Sequence, residues 1–154
     1  MRTALRAALL GALCLASCAA RRAKPGPAPS KTAKAIVRTA RSYLPEESPK
    51  GRKAPKDCSD FVDKVFAANG ITLPRTTVEL ALLGKRVPSA KELRMGDLVF
   101  FSGEKLNRQI GHVGIYVNNG VFIHVSRPEL GARMETLYSD YYRARYLTAR
   151  RLKL

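Results

Sequence analysis

The chain has 154 residues, enough for one domain with extensions and a core of its own. Lys and Arg outnumber Asp and Glu by 28 to 12, a formal charge of +16, which calls for an anionic partner without choosing among nucleic acid, lipid headgroups and carboxylate-bearing wall polymers. The absence of aromatic-interleaved basic repeats, zinc-finger spacing and recognition-helix patterns argues against a dedicated nucleic-acid reader; Cys58, alone beyond the N-terminal segment, rules out an intrachain disulfide scaffold.

Residues 1–17 have the layout of an export signal: Arg2 and Arg6, then an apolar Ala-Leu run ending in small residues, too short for a membrane span. The end of that run, Leu15-Ala16-Ser17-Cys18, resembles the bacterial lipobox. The resemblance implies cleavage before Cys18, loss of Cys14 with the signal, and a lipid anchor on Cys18; a plain secretory signal cut after Ala20 is the alternative. Ala19, rather than Asp, after the cysteine implies delivery to the outer membrane, facing the periplasm. Residues 18–31 then read as a Pro-rich basic linker, extended and semi-rigid.

Residues 32–154 make up the folded domain. A first helix is expected from Thr32 to Leu44, with Ile36, Val37, Ala40, Tyr43 and Leu44 on one face and Pro45 ending it. After a basic loop over 45–56 comes the stretch Asp57-Cys58-Ser59-Asp60-Phe61-Val62. Asp57 suits a helix N-cap, and Asp60 places a carboxylate in the first turn. Apolar residues at 61, 62, 65 and 66 share a face with Cys58, and Asn69-Gly70 supplies the stop. A thiol at a helix start can have its pKa lowered to roughly 3.5–7.5, giving a thiolate nucleophile near neutral pH; a buried inert cysteine is the plainer reading. Thr76 and Glu79 have capping-box spacing, opening a helix expected to reach Gly84. Arg94-Met95-Gly96-Asp97 turns into a buried strand over Leu98–Phe101, and a last strand is expected over Tyr146–Leu152.

Between them, residues 113–117 and 121–126 are β-rich around Asn118-Asn119-Gly120, a hairpin signal. Read as a three-residue loop, it pairs Val117 with Val121, Tyr116 with Phe122, Gly114 with His124 and His112 with Ser126. Alternation then sets His112, Gly114, Tyr116, Phe122, His124 and Ser126 on one face, with Val113, Ile115, Val117, Val121, Ile123 and Val125 on the other. The two histidines, the only ones in the chain, become diagonal neighbours with backbones ~7–8 Å apart.

A lone cysteine at a helix start and two histidines on one sheet face suit nucleophilic catalysis. The thiolate attacks a carbonyl, His112 carries the proton, His124 orients His112, and the Cys58 N–H meets the oxyanion. The same three residues would also suit a Cys-His-His zinc site, although no C-x-x-C pair accompanies them.

Five blocks in order, Asp57-Cys58-Ser59, Leu73-Pro74-Arg75-Thr76, Gly96-Asp97-Leu98-Val99-Phe100-Phe101, Gly111-His112-Val113-Gly114-Ile115-Tyr116 and Phe122-Ile123-His124, resemble the NlpC family of bacterial cell-wall cysteine peptidases. The resemblance covers the whole folded part. It implies a papain-like α+β fold, with the cysteine helix packed on an antiparallel sheet, and hydrolysis of stem-peptide amide bonds in peptidoglycan. It also implies Cys58, His112 and His124 as catalytic residues and Asp57 and Ser59 as substrate-binding. Two departures stand out. Asp60 replaces the usual Gly, at a position where it alters the substrate subsite or serves the helix. The family's Tyr and Gly-Gly turn ahead of the cysteine are replaced by Glu46-Glu47-Ser48-Pro49-Lys50-Gly51-Arg52-Lys53, leaving Tyr43 as the nearest tyrosine.

The expectation is a lipid-anchored peptidoglycan endopeptidase, monomeric and without cofactor, metal or nucleic acid. Its alternatives are a non-catalytic wall-binding or assembly lipoprotein on the same fold, and acyl transfer to an amine through the same thioester.

Overall fold

The computed structural model describes residues 27–50 and 52–154, so the export signal, Cys14 and the lipidation site Cys18 lie outside the described residues. Helix α1 spans Lys31–Arg41; the Ser30 hydroxyl accepts the Ala33 N–H at 3.0 Å, and Ala33, Ile36, Val37 and Ala40 are buried. The expected continuation to Leu44 does not form. The chain leaves the helix at Ser42, because Leu44 precedes Pro45 and a residue before proline disfavours the helical region. Leu44 is buried all the same.

Helix α2, Cys58–Ala67, opens as expected: Asp57 Oδ1 accepts the Asp60 N–H at 2.7 Å. Helix α3, Thr77–Leu80, is a single turn capped by Thr76, and it stops well short of Gly84. Gly84 is instead in the left-handed region (φ 59°), where a Cβ would stand 2.3 Å from the Arg151 carbonyl oxygen. That close approach turns the chain into strand β1, Lys85–Arg86.

Five more strands follow: β2 Leu98–Ser102, β3 Ile110–Asn118, β4 Val121–His124, β5 Arg133–Thr136 and β6 Tyr146–Arg151. Helix α4, Asp140–Arg145, lies between β5 and β6. The strands form one antiparallel sheet in the order β1-β6-β2-β3-β4-β5. One face carries the main core, where α1 and α2 deliver Ile36, Val37, Phe61, Val62 and Val65 against Phe100, Val113, Ile115 and Ile123. The other face holds a smaller cluster of Val99, Phe101, Tyr116, Phe122 and Ala149, with Tyr142 of α4 packed on it.

The hairpin differs from the expected loop in an instructive way. Its turn has two residues, Asn119 (φ 47°) and Gly120 (φ 80°), the left-handed pair of a type I′ turn that matches strand twist. Asn118, not Val117, pairs with Val121. That turn alone would shift every histidine neighbour by one residue. An irregularity between Tyr116 and Asn118 restores the register, so Tyr116 faces Phe122 and Ile115 faces Ile123. The expected division into an aliphatic face and a histidine face therefore survives a different turn.

The other fixed point is Asp97, 2% exposed, ahead of β2. Its carboxylate accepts the Arg94 N–H at 2.8 Å and a fork from Arg151 at 2.9 and 2.7 Å, tying the turn to β6.

Candidate active site

The thiol of Cys58 is half-buried at the start of α2 and packs against the main core, which includes Val113, the residue after His112. Thr77 Oγ1, from the first turn of α3, stands 4.0 Å from the sulfur. Burial pushes the Cys58 thiol above its ordinary 9.0, and the Asp57 carboxylate adds to this; the Val113 and Ser59 N–H groups and the Thr77 hydroxyl offset only part. The expected lowering at the helix start is thus overridden, because leaving water costs the thiolate more than these donors return.

His112 lies on β3 and His124 at the end of β4, on the face predicted for both. His112 Nε2 is 2.8 Å from His124 Nδ1, with the rings at 89°. The register requires Gly114 between them: a Cβ there would stand 3.3 Å from His124 Cβ and 2.7 Å from the Phe122 ring. His124 is 1% exposed. Burial lowers the His112 pKa from 6.5 to about 4. Burial, then the neighbouring His112 and Arg133, holds His124 lower still. Both rings are therefore neutral at pH 7. The contact between them leaves Nδ1 as the free nitrogen of His112. Among the described residues, no three His, Cys, Asp or Glu side chains converge as metal ligands.

Asp57 is exposed, and its Oδ1 accepts both the Ser59 hydroxyl and the Asp60 N–H at 2.7 Å. Burial opposes its charge, but those donors and Arg75 outweigh it, so the carboxyl titrates below 3.8. Asp60 points inward and is 6% exposed. Its Oδ2 accepts the Lys56 N–H at 2.7 Å and pairs with Lys64 at 2.5 Å, while Oδ1 lies 3.5 Å from Arg75. Its carboxylate is occupied in tying the pre-cysteine loop and the Leu73-Pro74-Arg75 segment to α2. Tyr43 packs edge-on against Phe61, one turn along α2 from Cys58, at 5.7 Å, with the Arg52 guanidinium 4.4 Å above its ring.

Tyr142 escaped the sequence reading. Its hydroxyl is 3.1 Å from His124 Nε2, and burial, with Glu135 and Tyr141 nearby, raises its pKa to about 12. The signal available was Ser139-Asp140 ahead of Tyr141-Tyr142, an N-cap and acidic first turn for a short helix; Ser139 Oγ does accept the Tyr142 N–H.

A cysteine helix laid on an antiparallel sheet whose neighbouring strands carry a contacting pair of histidines is a papain-like α+β arrangement. The chain belongs to the NlpC/P60 family, whose model matches residues 48–151. It is 41% identical over 97 residues to murein DD-endopeptidase MepS/murein LD-carboxypeptidase of Escherichia coli (strain K12), covering 62% of this chain and 49% of that one. It is 42% identical over 97 residues to bifunctional muramidase/DL-endopeptidase CwlT of Bacillus subtilis (strain 168), covering 63% and 29%. The crystal structure of an NlpC/P60 family protein from Bacillus cereus ATCC 10987 aligns at TM-score 0.65 and 27% identity, over 81% of this chain and 41% of that one. The chain thus spans half or less of the length of these relatives. Among the described residues, no helix is long and apolar enough to cross a membrane.

Proposed function

We propose that this chain is a cysteine endopeptidase that hydrolyses stem-peptide amide bonds in peptidoglycan. The observation that carries the reading is the 2.8 Å contact between His112 and His124 on β3 and β4, in the sheet on which the helix that starts at Cys58 is packed. The names of the relatives, murein and DL-endopeptidases among them, supply the substrate class.

In the proposed reaction His112 Nδ1 takes the Cys58 proton as the sulfur attacks the scissile carbonyl carbon. The oxyanion meets the Cys58 N–H, which has no partner four residues back in the helix. The C–N bond breaks, His112 returns the proton to the departing amine, and a thioester remains. Water then attacks the thioester; His112 takes its proton and delivers it to the sulfur as the acid leaves. His124 keeps the His112 ring in place. Because thiol and imidazole are both neutral at rest, proton transfer accompanies attack rather than preceding it.

Asp57 and Ser59 are assigned to substrate, with Asp57 carrying the charge. Asp60, its carboxylate occupied, is assigned to holding the loop rather than the peptide. From the sequence alone we further infer export, a lipid anchor on Cys18 and an outer-membrane site facing the periplasm. The test is mass spectrometry of soluble peptides released from purified peptidoglycan by the protein and by Cys58→Ala. Release by the wild type alone is expected, and the fragment masses name the bond cut. Equal release by Cys58→Ala overturns the mechanism; binding to the wall with no release by either makes the chain a wall-binding module.

A further inference from the structure

A fourth polar group stands in line with the three above. Tyr142 packs its ring against Phe101 and Phe122, at 5.3 and 4.9 Å, and this fixes its hydroxyl 3.1 Å from His124 Nε2. His124 is buried, so its two nitrogens have two partners: His112 Nε2 on Nδ1 and Tyr142 Oη on Nε2. A neutral imidazole has one N–H and one lone pair, so a single choice orients the whole line.

With the proton of His124 on Nε2, that N–H donates to Tyr142 and Nδ1 accepts from His112 Nε2–H, leaving a lone pair on His112 Nδ1. The opposite tautomer reverses both bonds and puts a proton on His112 Nδ1. Only the first direction suits an imidazolium at His112. With both His112 nitrogens protonated, Nε2–H needs an acceptor at His124 Nδ1. His124 must then hold its own proton on Nε2, a buried donor that is costly to leave unpaired.

We propose that Tyr142 is a positioning residue: its hydroxyl oxygen accepts the His124 Nε2–H and so holds His124 in the tautomer that leaves His112 Nδ1 free to take a proton from Cys58. The proposal rests on the reading of His112 as the base. The other groups facing this line are Arg133, beside both His124 and Tyr142, and Glu135, Tyr141 and Arg145 beside Tyr142.

The test is nitrogen-15 NMR of histidine-labelled protein, in which the chain's 2 histidines give the only two labelled rings. Two-bond proton–nitrogen correlations report which nitrogen carries the proton. His124 is expected to carry it on Nε2 in the wild type, and Tyr142→Phe, which keeps the ring packing, moves it toward Nδ1. In wall-peptide release, Tyr142→Phe is expected to lower kcat about 10–100-fold, with KM within about twofold. In a His124→Ala background the same change adds no further loss. A wild-type His124 protonated on Nδ1, an unmoved tautomer in Tyr142→Phe, or a full additional loss in the His124→Ala background overturns the proposal. If the wild type releases no peptide, the peptidase reading falls, while the tautomer still decides which way the line points.

Discussion

Replacing Asp60 by Ala removes a buried carboxylate held by the Lys56 N–H, Lys64 and Arg75. The bond from the Lys56 N–H is charge-assisted and held at 8% side-chain exposure, and contributes about 1.5–3 kcal/mol. Lys64 and Arg75 have side chains 30% and 47% exposed, so solvent screens them to about 0.2–1 kcal/mol each. The sum is about 2–5 kcal/mol, measured by urea unfolding at pH 7. The pH dependence carries the sharper check. Burial favours the neutral acid, but Lys64, the Lys56 N–H and Arg75 outweigh it and hold the folded pKa below 3.8. A depressed carboxylate contributes its full stability above the unfolded value and loses it as pH falls through the folded one. The gap between wild type and Asp60→Ala is therefore constant from pH 7 to about pH 4 and closes below it. A gap under about 0.5 kcal/mol at pH 7 refutes the structural role given to Asp60, and so does a gap that persists unchanged at pH 2.

Gly114→Ala forces a Cβ within 2.7 Å of the Phe122 ring and 3.1 Å of the Ile123 carbonyl, so a loss of about 1–3 kcal/mol and displacement of the histidine pair are expected in thermal unfolding and wall-peptide assays. Asp97→Ala removes the acceptor of the Arg94 N–H and of the fork from Arg151, whose side chain is 29% exposed and keeps its bond to the Glu92 carbonyl; destabilisation of about 1.5–3 kcal/mol in urea tests it. His112 and His124 are held neutral well below the 6.5 at which the unfolded chain protonates, so stability is complete above 6.5 and falls as pH drops toward 4, by up to about 1.4 kcal/mol per pH unit for each ring. Unfolding at pH 7 and pH 5 reads this out, with a shallower slope in His124→Ala. The rate of Cys58 alkylation should stay low at pH 7 and rise above pH 9; a plateau below pH 7 would show a standing thiolate.

Local signals made α2 and the histidine face legible. Asp57 announced its cap, and the alternation of Val113, Ile115, Ile123 and Val125 against His112, Gly114 and His124 fixed the two sheet faces whatever the turn did. The turn itself was misread because a two-residue turn plus one bulged residue gives the same pairing sum as a three-residue loop, and sequence alternation reports only the sum. Helix α3 fell short because its end is set by the approach of Gly84 to β6, a contact between distant parts of the chain. Tyr142 was invisible for the same reason: α4 is short, and its place over His124 is fixed by Phe101 and Phe122 from other strands.

The charge state of the site was the least accessible quantity, since it depends on how much water each group loses. A helix start argued for a thiolate at Cys58, and a histidine at hand argued for an ion pair. Both arguments count attraction only. Packing the thiol against the main core and sealing His124 beneath Tyr142 and Phe122 removes the solvent that a separated charge pair needs. With His112 lowered to about 4 and Cys58 raised above 9, the proton stays on sulfur in the resting protein. Under the proposed mechanism, the ion pair then forms only when a substrate carbonyl accepts the sulfur's electrons. The hydrogen-bond line through His124 to Tyr142 serves that moment by giving the new imidazolium an acceptor already in place.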